Sequence, residues 1–166
     1  MTGEQVFARL AKSRQALHQA ILGLGEQDLT QAQVEGAWTI RDILGHIASW
    51  DETCLTPLQH YVDGGPFDAV VMSDHLAWND EQAARKQTLP LDAILDQWTA
   101  IRRDLLAAAR RLSEEQWMTS VPCPWGGSGA IAELLEGLAY HEQAHARSVK
   151  RWRMGSALPG SAAAAP

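Results

Sequence analysis

Four stretches of this chain repeat apolar residues at every third or fourth position, and no stretch alternates apolar and polar residues as a half-buried strand would. That period belongs to a helix with one buried face. It commits the chain to an all-α fold, a four-helix bundle. The first stretch, from about Gly3 to Leu24, aligns Val6, Leu10, Leu17, Ile21 and Leu24, and Gly23 and Gly25 close it. The second begins at Thr39, whose spacing to Asp42 is that of a capping box. It carries Ile43, Ile47, Trp50, Cys54, Leu55 and Leu58 and stops before Gly64-Gly65-Pro66. The third opens with Pro90 as its first helical residue and aligns Ile94, Leu95, Trp98, Ile101, Leu105 and Leu112. Ser113 and Gln116 then have capping-box spacing on a short turn. The fourth follows the loop Trp125-Gly126-Gly127, is capped by Ser128, and runs to about Arg153 with Ile131, Leu134, Leu135, Leu138, His141, His145 and Trp152 inward.

The second and third stretches are separated by Gly64 to Leu89, whereas connections in bundles usually take about 2–8 residues. Asn79 and Gln82 are placed to cap a short helix inside this connection, ending near Lys86. A segment of that length can cross the bundle, so its two flanking helices need not be antiparallel. An up-down-down-up order is expected.

The 166 residues suffice for one core without disulfides, so a single domain over residues 1–154 is expected, followed by an Ala/Ser/Gly/Pro-rich tail over 155–166 that is expected to be mobile. A net charge of −6 argues against nucleic acid as a partner, because phosphate binding wants a basic face. No run approaches the roughly 20 apolar residues of a membrane span. With no leader-like start, the expectation is a cytoplasmic protein with no membrane partner. Cys54 and Cys123 lack metal-type spacing and are expected to be reduced; a nucleophilic Cys123, in Pro122-Cys123-Pro124, is a minor alternative.

Histidine interrupts two of the apolar stripes. His46 lies within Ile43-Leu44-Gly45-His46-Ile47, and His141 and His145 lie one turn apart on the fourth helix. An imidazole on an apolar face is often only a satisfied core residue. Three of them, however, cost free energy without partners, and one shared cation gives each a partner at once. Neutral imidazole suits Zn, Ni, Cu or Fe. Three nitrogen ligands with an open position is the pattern of a catalytic site. The three rings reach one level most easily if the second and fourth helices run in opposite directions. Such an ion lowers the pKa of a water or thiol in its open position. Three residues are weak candidates for an added catalytic role. Glu142 adjoins His141 but lies about 100° around the helix and is expected to face solvent. Asp42 is better explained by capping, and Asn79 could reach the mouth from the crossover. Trp50, Trp38 and His75 are the expected pocket residues. His18 is expected to be exposed.

Trp38-Thr39-Ile40-Arg41-Asp42-Ile43-Leu44-Gly45-His46-Ile47-Ala48-Ser49-Trp50 resembles the second-helix signature of the DinB-like (DinB/YfiT-like) metalloenzyme family, and Leu138-Ala139-Tyr140-His141-Glu142-Gln143-Ala144-His145 resembles its last-helix signature. The likeness extends from about Gly3 to Arg153. It implies a four-helix bundle holding a divalent metal, most often nickel or zinc, with iron or manganese as alternatives, on His46, His141 and His145. It also implies a homodimer and a small-molecule substrate. Some relatives are S-transferases that use a low-molecular-weight thiol, and the crossover is similar to that of ClbS/DfsB-type members linked to toxin resistance. The expected function is therefore a metal-dependent transferase or hydrolase. The alternatives are a protein that sequesters a small molecule in the same cavity, or a bundle whose histidines are merely structural.

Overall fold

The computed structural model describes residues 1–156. Helix α1, Gly3–Ile21, opens on a capping box in which Thr2 Oγ1 accepts from the Gln5 N–H and the Gln5 side chain accepts from the Thr2 N–H. It ends three residues earlier than its stripe suggests, and Gly23 turns the chain at φ +79°. A short helix α2, Glu26–Thr30, leads into a hairpin of β1, Gln33–Glu35, and β2, Trp38–Thr39, reversed at Gly36 with φ +57°. Helix α3, Ile40–Val62, grows directly out of this hairpin through the expected Thr39–Asp42 box.

Helix α4, His75–Lys86, lies in the crossover. It starts four residues before the expected Asn79, because Asp74 Oδ1 caps it by accepting from the N–H groups of Leu76 and Ala77 at 3.0 Å each. At its far end the Arg41 guanidinium takes up the carbonyls of Lys86 and Gln87 and so ties the crossover to the start of α3. Helix α5 is Leu91–Ala109, with Pro90 at the cap rather than inside the first turn, and α6 is Glu114–Trp117, with the expected Ser113 box. Strands β3, Ser120–Pro122, and β4, Ser128–Ala130, form a second hairpin. Ser128 pairs with Pro122 there instead of capping the last helix. The Glu133 carboxylate accepts from the Ala130 N–H at 2.9 Å where α7, Ile131–Ser156, begins. Strands of two and three residues are too short to show alternation, which is why the expectation of a strand-free chain missed both hairpins. Of the expected tail, Gly155 and Ser156 complete α7, and 157–166 lie outside the described residues.

The core falls into two clusters that reveal the helix directions. One contains Val6, Leu10, Cys54, Leu58, Leu105 and Leu134; the other contains Leu17, Ile43, Ile47, Ile94, Trp98 and Val149. Helices α1 and α7 run from the first cluster to the second, while α3 and α5 run from the second to the first. The order is the expected up-down-down-up, with α7 beside α1 and α5 beside α3. Between the clusters the four long helices meet in a buried polar layer, to which α1 brings Ser13, α3 Asp51, α5 Arg102 and α7 Glu142. Among the described residues, no helix is long and apolar enough to cross a membrane.

Candidate metal centre

The opposite directions of α3 and α7 bring the second turn of one level with the middle of the other. The three histidines therefore converge. His46 Nε2 lies 2.9 Å from His141 Nε2, and His145 Nε2 lies 3.0 Å from the same atom. All three nitrogens fall within 4.8 Å of one another. Burial, reinforced by the neighbouring imidazoles, lowers the pKa of His46 to about 2 and that of His141 to about 4. Both rings are therefore neutral at pH 7.

The first hairpin orients this cluster. Glu35 and Trp38 are cross-strand partners, so they share a face. Glu35 Oε2 lies 2.9 Å from His145 Nδ1, and the Trp38 ring lies 4.7 Å from the His46 ring, centre to centre. A carboxylate only accepts, so His145 carries its proton on Nδ1 and turns the Nε2 lone pair inward. Burial acts to raise the Glu35 carboxyl, but hydrogen bonds from His145 and Ser148 outweigh it and hold its pKa below the usual value. Glu35 was missed in the sequence because no helical period reaches it; its position three residues before Trp38, on the segment that feeds the His46 helix, was the available signal.

This donor set fits a divalent cation. With the His145 lone pair fixed, His141 can share a proton with one neighbour only, so one of the three inward nitrogens stays unpaired without a cation. His46 Nδ1 is itself buried with no hydrogen-bond partner among the described residues. Nitrogens bound at 2.0–2.1 Å around a tetrahedral ion stand about 3.4 Å apart, so an ion would draw the widest pair together by up to about 1.4 Å and open the two close contacts slightly.

Glu142 corrects an expectation. It is fully buried, not solvent-facing. Its Oε2 accepts from Ser13 Oγ at 2.7 Å and from Arg102 Nη1 at 2.9 Å, and its Oε1 accepts from Trp98 Nε1 at 3.3 Å. Arg102 also forks onto Asp51 with two bonds of 2.8 Å. Arg14 stacks its guanidinium 4.1 Å over the Trp98 ring and donates to Asp51 at 3.3 Å. Its Nε stands 2.7 Å from Glu142 Oε1 but off the hydrogen-bonding direction, so that contact is Coulombic. The reason for the correction is geometric. The histidines occupy the edge of the buried face of α7, and rotating 100° from His141 leads to the bundle axis between α1 and α5. The signal was present in the sequence: Glu142 falls four residues after Leu138 and seven before Val149, and Arg102 falls four after Trp98 and three before Leu105. Glu142 is thus committed to binding four helices together and is not free to act on a substrate.

A cavity of about 380 Å³ opens beside the cluster, lined by His46, Trp50, His75, Asn79, Trp125, Gly137, Leu138 and His141. Trp50 and His75 are where the sequence suggested; Trp38 is not among the walls and packs instead on His46 and the core. Asn79 lines the cavity and accepts from Trp50 Nε1 at 3.1 Å, which holds that indole in place. Asp42 is occupied by its cap, its carboxylate accepting from the Thr39 N–H at 2.9 Å. Trp125, at the tip of the second hairpin, was not anticipated. Cys54 and Cys123 are free and buried, and burial pushes both thiols up, which disfavours a thiolate.

A family model described as the DinB superfamily matches residues 9–149. A curated relative from Oceanobacillus iheyensis, named "Putative metal-dependent hydrolase OB0413", is 26% identical over 136 residues, 81% of this chain and 75% of the relative. Among solved structures, the colibactin self-resistance protein ClbS, crystallised with double-stranded DNA, superposes with a TM-score of 0.74 at 10% identity over 92% of this chain and 96% of its own. The mycothiol-dependent maleylpyruvate isomerase superposes with a TM-score of 0.68 at 20% identity, over 90% of this chain and 63% of its own. At these identities the two structures share the fold with this chain and nothing finer.

Proposed function

Because the chain belongs to the DinB superfamily, we propose that it is a metal-dependent hydrolase of a small molecule, with His46, His141 and His145 as the ligands of a divalent cation, nickel or zinc ahead of iron or manganese. The observation that carries this reading is the convergence of three imidazole nitrogens, one of them oriented by Glu35, beside an open cavity. A cation there supplies Lewis acidity, polarising a bound oxygen or sulfur and lowering its pKa. The protein's own contribution is to hold the rings. Glu35 fixes His145, Trp38 packs on His46, and the Arg102 network sets α7 against α3 and α5. Among the described wall residues outside the triad, His75 is the one whose side chain can both take and give a proton, which makes it the candidate to serve the leaving group. Hydrolysis is preferred over thiol transfer because, among the described residues, no Arg or Lys lines the cavity to receive the carboxylates or other anionic groups of a thiol co-substrate, and the Oceanobacillus iheyensis relative carries the name "Putative metal-dependent hydrolase OB0413".

Sequestration is the second reading, supported by the likeness to a self-resistance protein. A homodimer belongs to the proposal on family grounds alone. Untagged protein should bind close to one divalent ion per chain, and His145→Ala should lose the ion while keeping its helical circular dichroism. A panel of small esters, lactones and amides, run beside thiol-plus-electrophile mixtures, separates the chemistries. Stoichiometric binding without turnover would select sequestration. Failure of the reconstituted protein to retain Zn, Ni, Fe or Mn would remove the metal reading.

A further inference from the structure

The walls of the cavity have a definite chemistry. Trp50 comes from α3, Trp125 from the second hairpin, and their ring centres are 6.1 Å apart at 57°, two faces of one concave corner. A third indole, Trp78 of α4, backs Trp50 at 4.7 Å. The Trp50 N–H is already spent on Asn79, so the 7% of that residue left exposed offers the cavity apolar ring surface rather than a donor. Trp125 is held open to solvent at 39% exposure on a turn built from Gly126 and Gly127, whose φ values are +102° and +74°. Behind it, Gly137 of α7 is shaped to receive it: a Cβ there would stand 3.1 Å from the Trp125 ring. The hairpin is also pinned to the crossover, where the Met72 N–H donates to the Pro124 carbonyl at 2.8 Å. Every charged side chain of the bundle's middle layer turns inward and pairs with another: Arg14, Asp51, Arg102 and Glu142. None of these is among the described residues of the cavity wall, whose polar side-chain groups beyond the triad are His75, Asn79 and the indole N–H groups of Trp50 and Trp125.

We propose that the body of the substrate, the part lying against these walls, is a flat, uncharged aromatic group that stacks in the Trp50–Trp125 corner. The physical grounds are matching. Indole faces favour offset or edge-on contact with another ring; an anion entering the cavity loses its hydration with no cation on the described wall to replace it, and the attraction of a partly exposed indole face for a cation, about 0.5–1 kcal/mol, is smaller than the hydration the cation gives up. The inference takes the same cavity as the substrate site, and so rests on the reading given above, but it concerns the walls and not the ion.

The test uses full-length protein stripped of metal, so that no ligand can bind by coordination. Binding of 2-naphthol, decahydro-2-naphthol, 2-naphthoate and 2-naphthyltrimethylammonium is measured by calorimetry and by quenching of tryptophan fluorescence. The aromatic alcohol should bind about tenfold more tightly than its saturated counterpart. It should bind about a hundredfold more tightly than the anion, and more tightly than the cation. Trp125→Ala should remove most of the preference for the flat ring while leaving the thermal midpoint nearly unchanged. Gly137→Ala should weaken naphthol binding by displacing the Trp125 ring, although alanine within a helix would otherwise stabilise. Equal binding of the saturated alcohol, of the anion or of the cation would overturn the proposal, as would wild-type affinity in Trp125→Ala. A metal titration on the same preparation keeps the two readings apart. Naphthol selectivity without metal binding defeats the metal reading alone; metal binding without naphthol selectivity defeats this one alone.

Discussion

Replacing Arg102 by Met tests whether the middle layer is a buried ionic network. Arg102 is 3% exposed, and its removal leaves Asp51 at 1% and Glu142 at 0% without their main cation. Breaking a buried ion pair from one side typically costs about 3–5 kcal/mol. Arg14 still reaches both carboxylates, with its side chain 20% exposed, so the lower end, about 3 kcal/mol, is expected here. With a urea dependence of about 2 kcal/mol per molar, the midpoint should fall by roughly 1.5 M. The measurement is urea unfolding of metal-free protein, so that ligand binding does not mask the loss. It carries a sign in pH. Burial raises the Asp51 carboxyl in the folded protein, and losing Arg102 removes its main counterweight. The folded variant then binds a proton more readily than its unfolded chain. Its deficit relative to wild type should therefore narrow as the pH falls from 7 to 5. Converting the layer as a unit, Arg14→Met and Asp51→Leu with Arg102→Met and Glu142→Met, should recover most of the lost stability, since a well-packed apolar layer often equals a buried ionic one. A loss in Arg102→Met below about 1 kcal/mol, the size expected of a solvated pair, would refute the reasoning.

Two further outcomes are expected. Glu35→Ala should weaken zinc binding about 10–100-fold, measured by competition with a chromophoric chelator, because it frees the His145 ring that Nδ1 now anchors; unchanged affinity would mean the hairpin does not orient the site. The metal-free protein should lose stability in acid. His46 and His141 have folded pKa values of about 2 and about 4, below the roughly 6.5 of the unfolded chain, so the unfolded state takes up protons first. Their contribution is complete above pH 6.5 and is lost as the pH falls below it, on the order of 2–4 kcal/mol by pH 5. His141→Asn should flatten that dependence in urea unfolding, and an unaltered slope would show that the rings are solvated.

Much of this protein is legible in its sequence, and the boundary of what is legible has a physical cause. Periodicity and caps located the four long helices, because both are local: a helix is decided by residues three and four apart and by the side chain at its first turn. The histidine triad was legible for the same reason, as polar interruptions of apolar stripes, and the helix directions followed from requiring the rings to meet at one level. Trp50 and His75 line the cavity from helices the sequence could locate, whereas Trp38, Glu35 and Trp125 depend on hairpins too short to leave a pattern. Glu142 shows the limit most sharply. Its spacing from Leu138 marks it as inward, yet its angle from His141 marks it as outward, and sequence cannot say which of two neighbouring stripes points to the bundle axis. That choice belongs to the packing of α7 between α1 and α3, where a carboxylate is tolerable only because Arg102, Ser13 and Trp98 arrive from other helices to meet it.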